Sequence, residues 1–197
     1  ANFINNGWRN TIPVLDNMSE FDQLNKAVKE PCRIGIRIAS EEEPKFEFYT
    51  SRLGIRYSDI MPFYQNVVSK NDKFSLKMLH FFINTGIRDN AYYWNELAKC
   101  VNVYCDLKAV CPELDSLNIG GGFPIKNSLA MDFEYEYMAE EVVAQIKSIC
   151  EQRGVREPNI FTEFGSYTVG ESGATIFSIL DVKQQNDRER WYMIDSS

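Results

Sequence analysis

Leu114-Asp-Ser-Leu-Asn-Ile119, running without a break into Gly120-Gly121-Gly122, is the stretch on which the fold turns. A short apolar run reads as a buried strand, and glycines at its end have no side chains to pack. Ordering them carries the largest backbone entropy cost of any residue, so something other than core packing keeps them there. Their useful property is bare backbone, whose N–H groups can approach an anion closely. The carboxyl end of a parallel strand is where ligands sit in both β/α barrels and open doubly wound sheets. A flexible turn ahead of the next helix is the other reading of the same three residues.

Working outward, strands and helices alternate on both sides. Thr11 to Asp16 reads as a short strand, and Ser19 with Asp22 forms a capping box for a helix through about Val28. Arg33 to Ala39 is a second strand, followed by a loop rich in Glu41 to Pro44 and a helix from Ser58 to Val68. Leu76 to Ile83 is a third strand, and Asn90 to about Val110 has the spacing of a long helix. Beyond the glycines come a helix from Asp132 to about Gln152 and a strand from Asn159 to Glu163. Such alternation implies βαβ units around a parallel sheet.

After Gly173 the pattern changes. Ala174 to Val182, a polar turn at Gln184 to Asp187, and Trp191 to Asp195 read as an antiparallel hairpin. About five parallel strands fall short of the eight, in about 250 residues, of a closed barrel. The chain is therefore either an open doubly wound sheet or part of a barrel. Residues 1–172 carry the alternation of strands and helices, and residues 173–197 the hairpin.

The composition sets the outer limits. The chain has 197 residues, 44% hydrophobic, with a formal charge of −7. That fits a domain with a real core and, without a basic cluster, argues against a nucleic-acid partner. The five cysteines, Cys32, Cys100, Cys105, Cys111 and Cys150, form no C-x-x-C pair, and His80 is the sole histidine. Free thiols and no zinc site are expected, so no metal ligand is assigned. With no signal-peptide pattern and no membrane-length apolar run, the expectation is a cytoplasmic protein.

The residues also carry a family resemblance. Leu117-Asn-Ile-Gly-Gly-Gly-Phe-Pro124 resembles the phosphate-binding glycine loop of the decarboxylases that use pyridoxal 5'-phosphate and have the alanine-racemase fold. Ser19-Glu20-Phe21, Ile36-Arg37-Ile38-Ala39, Ser51-Arg52-Leu53-Gly54 and Phe161-Thr-Glu-Phe-Gly165 are similar to other segments of that family, in the same order. The resemblance implies a (β/α)8 TIM-type barrel of which this chain is a central piece, with a separate β domain beginning in residues 173–197 and pyridoxal phosphate as cofactor. Ile87-Arg-Asp-Asn-Ala-Tyr-Tyr-Trp94 and Leu117-Asn-Ile look nearest to the bacterial biosynthetic arginine decarboxylases. Diaminopimelate, ornithine and carboxynorspermidine remain open as substrates on the same residues. So does a non-catalytic regulatory relative.

The resemblance implies roles for particular residues. Gly120, Gly121 and Gly122 would bind the phosphate with the hydroxyl of Thr85, and Gly165 belongs to the family's glycine corner. Glu163 matches the carboxylate that keeps the pyridine nitrogen protonated, and so is the candidate catalytic residue. Arg37 aligns with an arginine near the cofactor, with a plain strand-end salt bridge as the alternative. Phe82 stands where the family places a histidine flat on the ring; a phenyl ring still stacks but lacks the polar edge. Ser166 replaces a phosphate-binding arginine. His80 aligns with an earlier family histidine and reads equally well as a hydrogen-bonded strand histidine.

None of the lysines lies in a segment like the one that carries the family's cofactor-linked lysine. The piece is accordingly expected to be inactive alone. An amino-acid substrate, a homo-oligomer in the complete enzyme and no membrane partner complete the expectations.

Overall fold

The computed structural model describes residues 1–40, 51–83, 90–123, 134–184 and 186–196. Five strands form one sheet: β1 (Val14–Leu15), β2 (Cys32–Arg37), β3 (Phe74–His80), β4 (Ser116–Asn118) and β5 (Asn159–Phe161). Every pair in it is parallel, and the spatial order is the sequence order. This order decides between the two architectures left open by the strand count. A doubly wound sheet reverses direction at a switch point, whereas a sheet wound one way by right-handed crossovers keeps its helices on one face, as a barrel does.

The burial pattern follows from that winding. Ile36, Leu79 and Leu117 are neighbours across β2, β3 and β4 and are wholly buried, as are Ile34 and Leu76 one step earlier. Each such side chain contributes about 1.5–3 kcal/mol by leaving water. The following rank, Arg37, His80, Asn118 and Phe161, points to the opposite face because side chains alternate along a strand. The sheet therefore has an apolar helix-covered side and an opposite side on which Arg37, His80 and Asn118 stand level with one another.

The connections are α2 (Ser19–Ala27), α3 (Tyr57–Asn66), α4 (Asn90–Lys108) and α5 (Tyr135–Arg153), with a single helical turn, α1 (Asn2–Asn5), ahead of β1. In α5, Met138, Val142, Ile146 and Cys150 are buried at every fourth position, giving one apolar stripe. Gly154 ends it in the left-handed conformation, φ 63°, a backbone state glycine adopts without steric cost.

Helices α3 and α4 are joined by a buried polar cluster. The Glu96 carboxylate, with no exposed surface, accepts from Tyr57 Oη at 3.0 Å and from Lys99 Nζ at 2.9 Å. All five cysteines are free and buried, as the sequence suggests.

Several expected boundaries shift. The first strand is Val14–Leu15 rather than Thr11 to Asp16, and the fourth and fifth are three residues each. The capping box is Asn17 with Glu20, not Ser19 with Asp22. Asn17 Oδ1 accepts from the Glu20 amide at 3.2 Å, and Glu20 Oε2 accepts from the Asn17 amide at 3.4 Å and more closely from Asp16 at 2.7 Å. The loop at Glu41 to Pro44 and the start of the helix at Asp132 lie outside the described residues.

After β5 comes a short helix, α6 (Gly165–Val169), and then an antiparallel pair, β6 (Ile179–Gln184) and β7 (Arg190–Ile194). This is the expected hairpin. Its apolar residues on both strands, among them Leu180, Val182, Trp191 and Tyr192, are all exposed.

Candidate active site at the carboxyl rim

The carboxyl ends of β2 to β5 bring Arg37, His80, Asn118 and, two residues past Phe161, Glu163 to one rim. Pairing between the last two strands continues past their formal ends: the Ile119 amide donates to Phe161 O at 3.0 Å and the Glu163 amide to Gly120 O at 2.8 Å. The glycine turn and the Glu163 corner are thus neighbouring strand extensions.

That proximity explains two of the glycines. A Cβ on Gly121 would lie 2.4 Å from the Glu163 carbonyl oxygen, and one on Gly120 would lie 2.6 Å from Phe81 O and 2.9 Å from the Phe82 ring. Gly120 and Gly122 also have φ of 68° and 101°, the left-handed region that disfavours other residues. The glycines therefore serve the packing of the rim itself as well as any ligand.

The Gly120 amide is taken by Asn118 Oδ1 at 2.9 Å. Among the described residues nothing accepts from the amides of Gly121 and Gly122. Gly165 differs: its amide donates to Glu163 O at 2.8 Å, and a Cβ there would meet nothing within 4 Å.

Glu163 is half exposed, and its Oε1 accepts from Asn118 Nδ2 at 2.8 Å. His80 Nε2 stands 3.6 Å from the same oxygen, too far for a hydrogen bond, and among the described residues neither ring nitrogen of this buried histidine has a hydrogen-bond partner. Burial pushes the His80 pKa below its ordinary value. Glu163 and Asp16 oppose that, and the Arg37 charge adds to it. The imidazole is neutral near pH 7, and the hydrogen-bonded strand histidine expected from the sequence is not what forms.

Arg37 is largely buried. Its Nη1 lies 3.8 Å from Asp16 Oδ1, which also accepts from the Gly54 amide at 3.1 Å, and its guanidinium sits 5.9 Å from the centroid of the Phe82 ring. The salt-bridge reading thus holds for this residue, which also stands at the rim. Phe82 lies between Arg37 and Gly120, with its carbonyl accepting from Ser40 Oγ at 3.0 Å. Ser166 is an exposed residue of α6, and Thr85 lies outside the described residues.

Several lysines are engaged elsewhere. Lys73 donates to the carbonyls of Asn25 and Val28, Lys77 faces Asp115, and Lys108 donates to the carbonyls of Pro112 and Leu114, all toward the amino-terminal ends of the strands. Among the described residues no group of three His, Cys, Asp or Glu side chains comes together, and no helix is long and apolar enough to cross a membrane.

Asn118 is the residue that sequence reading missed. The available signal was an Asn two residues before a glycine at a strand end, where its side chain can accept from the backbone two residues on.

A one-way wound parallel sheet whose rim carries a tight glycine turn beside a carboxylate has the arrangement of part of a β/α barrel. The family described as "Pyridoxal-dependent decarboxylase, pyridoxal binding domain" matches residues 4–170, and the chain belongs to it. The biosynthetic arginine decarboxylase of Geobacter sp. (strain M21) is 27% identical over 188 residues, covering 87% of this chain and 29% of the relative. The arginine decarboxylase of Campylobacter jejuni superposes with a TM-score of 0.63 at 23% identity, over 79% of this chain and 27% of that one.

A diaminopimelate decarboxylase from M. jannaschii, solved with L-lysine, gives a TM-score of 0.70 at 18% identity, over 94% and 44%. The chain spans 19% to 29% of the length of these arginine decarboxylase relatives.

The residues present suit pyridoxal phosphate. The amides of Gly121 and Gly122, without an acceptor among the described residues, stand in a turn with no room for a side chain at Gly120 or Gly121, beside a carboxylate that still reaches solvent.

Proposed function

We propose that this chain is part of a lyase that uses pyridoxal phosphate to remove the carboxylate of arginine, giving agmatine and carbon dioxide, a step that supplies polyamine biosynthesis. The observation that carries the reading is the Glu163 carboxylate, anchored at 2.8 Å by Asn118 directly beside the glycine turn. Bound pyridoxal phosphate supplies an electron sink for the electron pair left on Cα when the carboxylate departs.

The chain's own residues hold that sink in place. Gly121 and Gly122 donate their amides to the phosphate within the turn opened by Gly120, and Thr85 adds a hydroxyl. Phe82, with the Arg37 guanidinium near its own ring, would offer a face to the cofactor ring. Gly165 keeps the corner after Glu163 free of a side chain. Glu163 holds a proton on the pyridine nitrogen, because a neighbouring carboxylate favours the charged form. The lysine that anchors the cofactor is none of Lys73, Lys77, Lys99 or Lys108, whose ammonium groups are engaged.

In this reading residues 1–172 form the cofactor-binding barrel segment and residues 173–197 open the β domain. The enzyme is a cytoplasmic homo-oligomer acting on a free amino acid. The choice of arginine follows the names of the relatives.

Carbon dioxide release by the purified full-length protein, with arginine, diaminopimelate, ornithine or carboxynorspermidine supplied separately, tests it. Arginine-dependent release with agmatine as product supports the proposal. Release from another substrate alone reassigns the specificity within the family. Absence of both release and retained cofactor points to a non-catalytic relative, the reading favoured by Phe82 and Ser166 at positions where the family keeps a histidine and an arginine.

A further inference from the structure

We propose that Asn118 is a positioning residue that locks the glycine turn and the Glu163 carboxylate into one unit, so that the two ends of the cofactor site are set together; this rests on the function proposed above. Asn118 is the last residue of β4, level with His80 on one side and Phe161 on the other. Its amide group makes two bonds of opposite polarity. Oδ1 accepts from the Gly120 amide at 2.9 Å, and Nδ2 donates to Glu163 Oε1 at 2.8 Å.

The orientation is fixed by chemistry, since a carboxylate accepts only and a backbone N–H donates only. One flip of the amide satisfies both neighbours, and the other satisfies neither. A third bond, from the Glu163 amide to Gly120 O at 2.8 Å, closes the loop between turn and corner.

No isosteric replacement performs both tasks. Asn118→Asp leaves an acceptor for the Gly120 amide but sets a second carboxylate against Glu163. Like charges at that distance force the pair to share a proton and raise one of the two pKa values. Combining Asn118→Asp with Glu163→Gln exchanges the two partners and restores both hydrogen bonds, with donor and acceptor reversed between the side chains. It does not restore the negative charge beside the ring nitrogen.

The experiment is a four-protein cycle in the full-length protein: wild type, Asn118→Asp, Glu163→Gln and the double variant. Pyridoxal phosphate affinity is measured by fluorescence titration from pH 6 to 9, thermal midpoints are taken without cofactor, and kcat is measured with substrate. Asn118→Asp is expected to weaken cofactor affinity about tenfold at pH 8, equivalent to about 1.4 kcal/mol, and to recover toward pH 6 as the proton is shared. Wild type shows no such step.

The double variant is expected to recover both the thermal midpoint and the affinity to within about threefold of Glu163→Gln, while kcat stays as low as in Glu163→Gln. The inference is overturned if the effects of the two single changes simply add in midpoint and affinity, or if Asn118→Asp weakens binding equally at every pH. A wild type that binds no cofactor sinks the proposed function instead, and the cofactor-free midpoints still decide whether Asn118 couples to Glu163.

Discussion

Gly121→Ala puts the geometry of the rim to a direct test. The added methyl would lie 2.4 Å from the Glu163 carbonyl oxygen and 3.2 Å from its carbonyl carbon, about 1 Å inside ordinary contact. Both obstacles are backbone, so no side chain can swing away, and either the turn or the end of β5 must move. Overpacking of this kind costs about 2–3 kcal/mol.

Both segments belong to the proposed cofactor site, which lowers pyridoxal phosphate affinity by about 30- to 150-fold if the strain is expressed there. A displacement of about 1 Å in the carboxylate also lowers kcat by about 10²-fold. Fluorescence titration of cofactor into the full-length variant, with circular dichroism to verify the fold, is the assay. Native-like affinity with an unchanged unfolding midpoint would refute the tight packing of Gly121 against Glu163.

Other consequences are simpler. Glu163→Gln keeps the size and removes the charge, so kcat should drop by about 10²-fold or more with cofactor affinity much less affected; kcat within about twofold of wild type would make Glu163 a structural corner residue. The His80 pKa is depressed in the folded state, so the unfolded chain takes up the proton first as pH falls through about 6.5. Stability present above that pH should be lost on acidification, and urea titrations at pH 5 and 7.5 should show a smaller difference in His80→Asn than in wild type. Glu96→Ala leaves Tyr57 and Lys99 without their carboxylate and should cost about 1–3 kcal/mol by chemical denaturation. The 197-residue chain alone should release no carbon dioxide from arginine and should self-associate through the apolar residues of β5 and the hairpin; a monodisperse monomer in sedimentation would count against that.

The parallel pairing and the glycine turn were legible because strong local signals coincide there: apolar runs at strand spacing, each followed by a helical period, and an apolar run stopping at glycines. What was not legible depends on partners distant in sequence. The strand register that sets Arg37 against Asp16 and Phe82 comes from crossovers, and so does the meeting of Asn118 with Glu163, 45 residues on. His80 read equally well as a match to a family histidine and as a hydrogen-bonding strand residue. Its described neighbours leave both nitrogens unpaired, a fact of packing that no local pattern encodes.

The capping box missed by two positions for a related reason. Asn17 and Ser19 are both good caps, and the return bond from Glu20 to the Asp16 and Asn17 amides selects the former. The glycines were read as room for an anion, whereas Gly121 is also required by the Glu163 carbonyl.

The central claim is that one rim holds pyridoxal phosphate between the glycine turn and Glu163. A crystal structure of the full-length protein with pyridoxal phosphate tests it most directly. The account expects phosphate oxygens within about 3 Å of the Gly121 and Gly122 amides and the pyridine nitrogen within about 3 Å of the Glu163 carboxylate. A phosphate bound elsewhere, or a ring whose nitrogen faces away from Glu163, would contradict it.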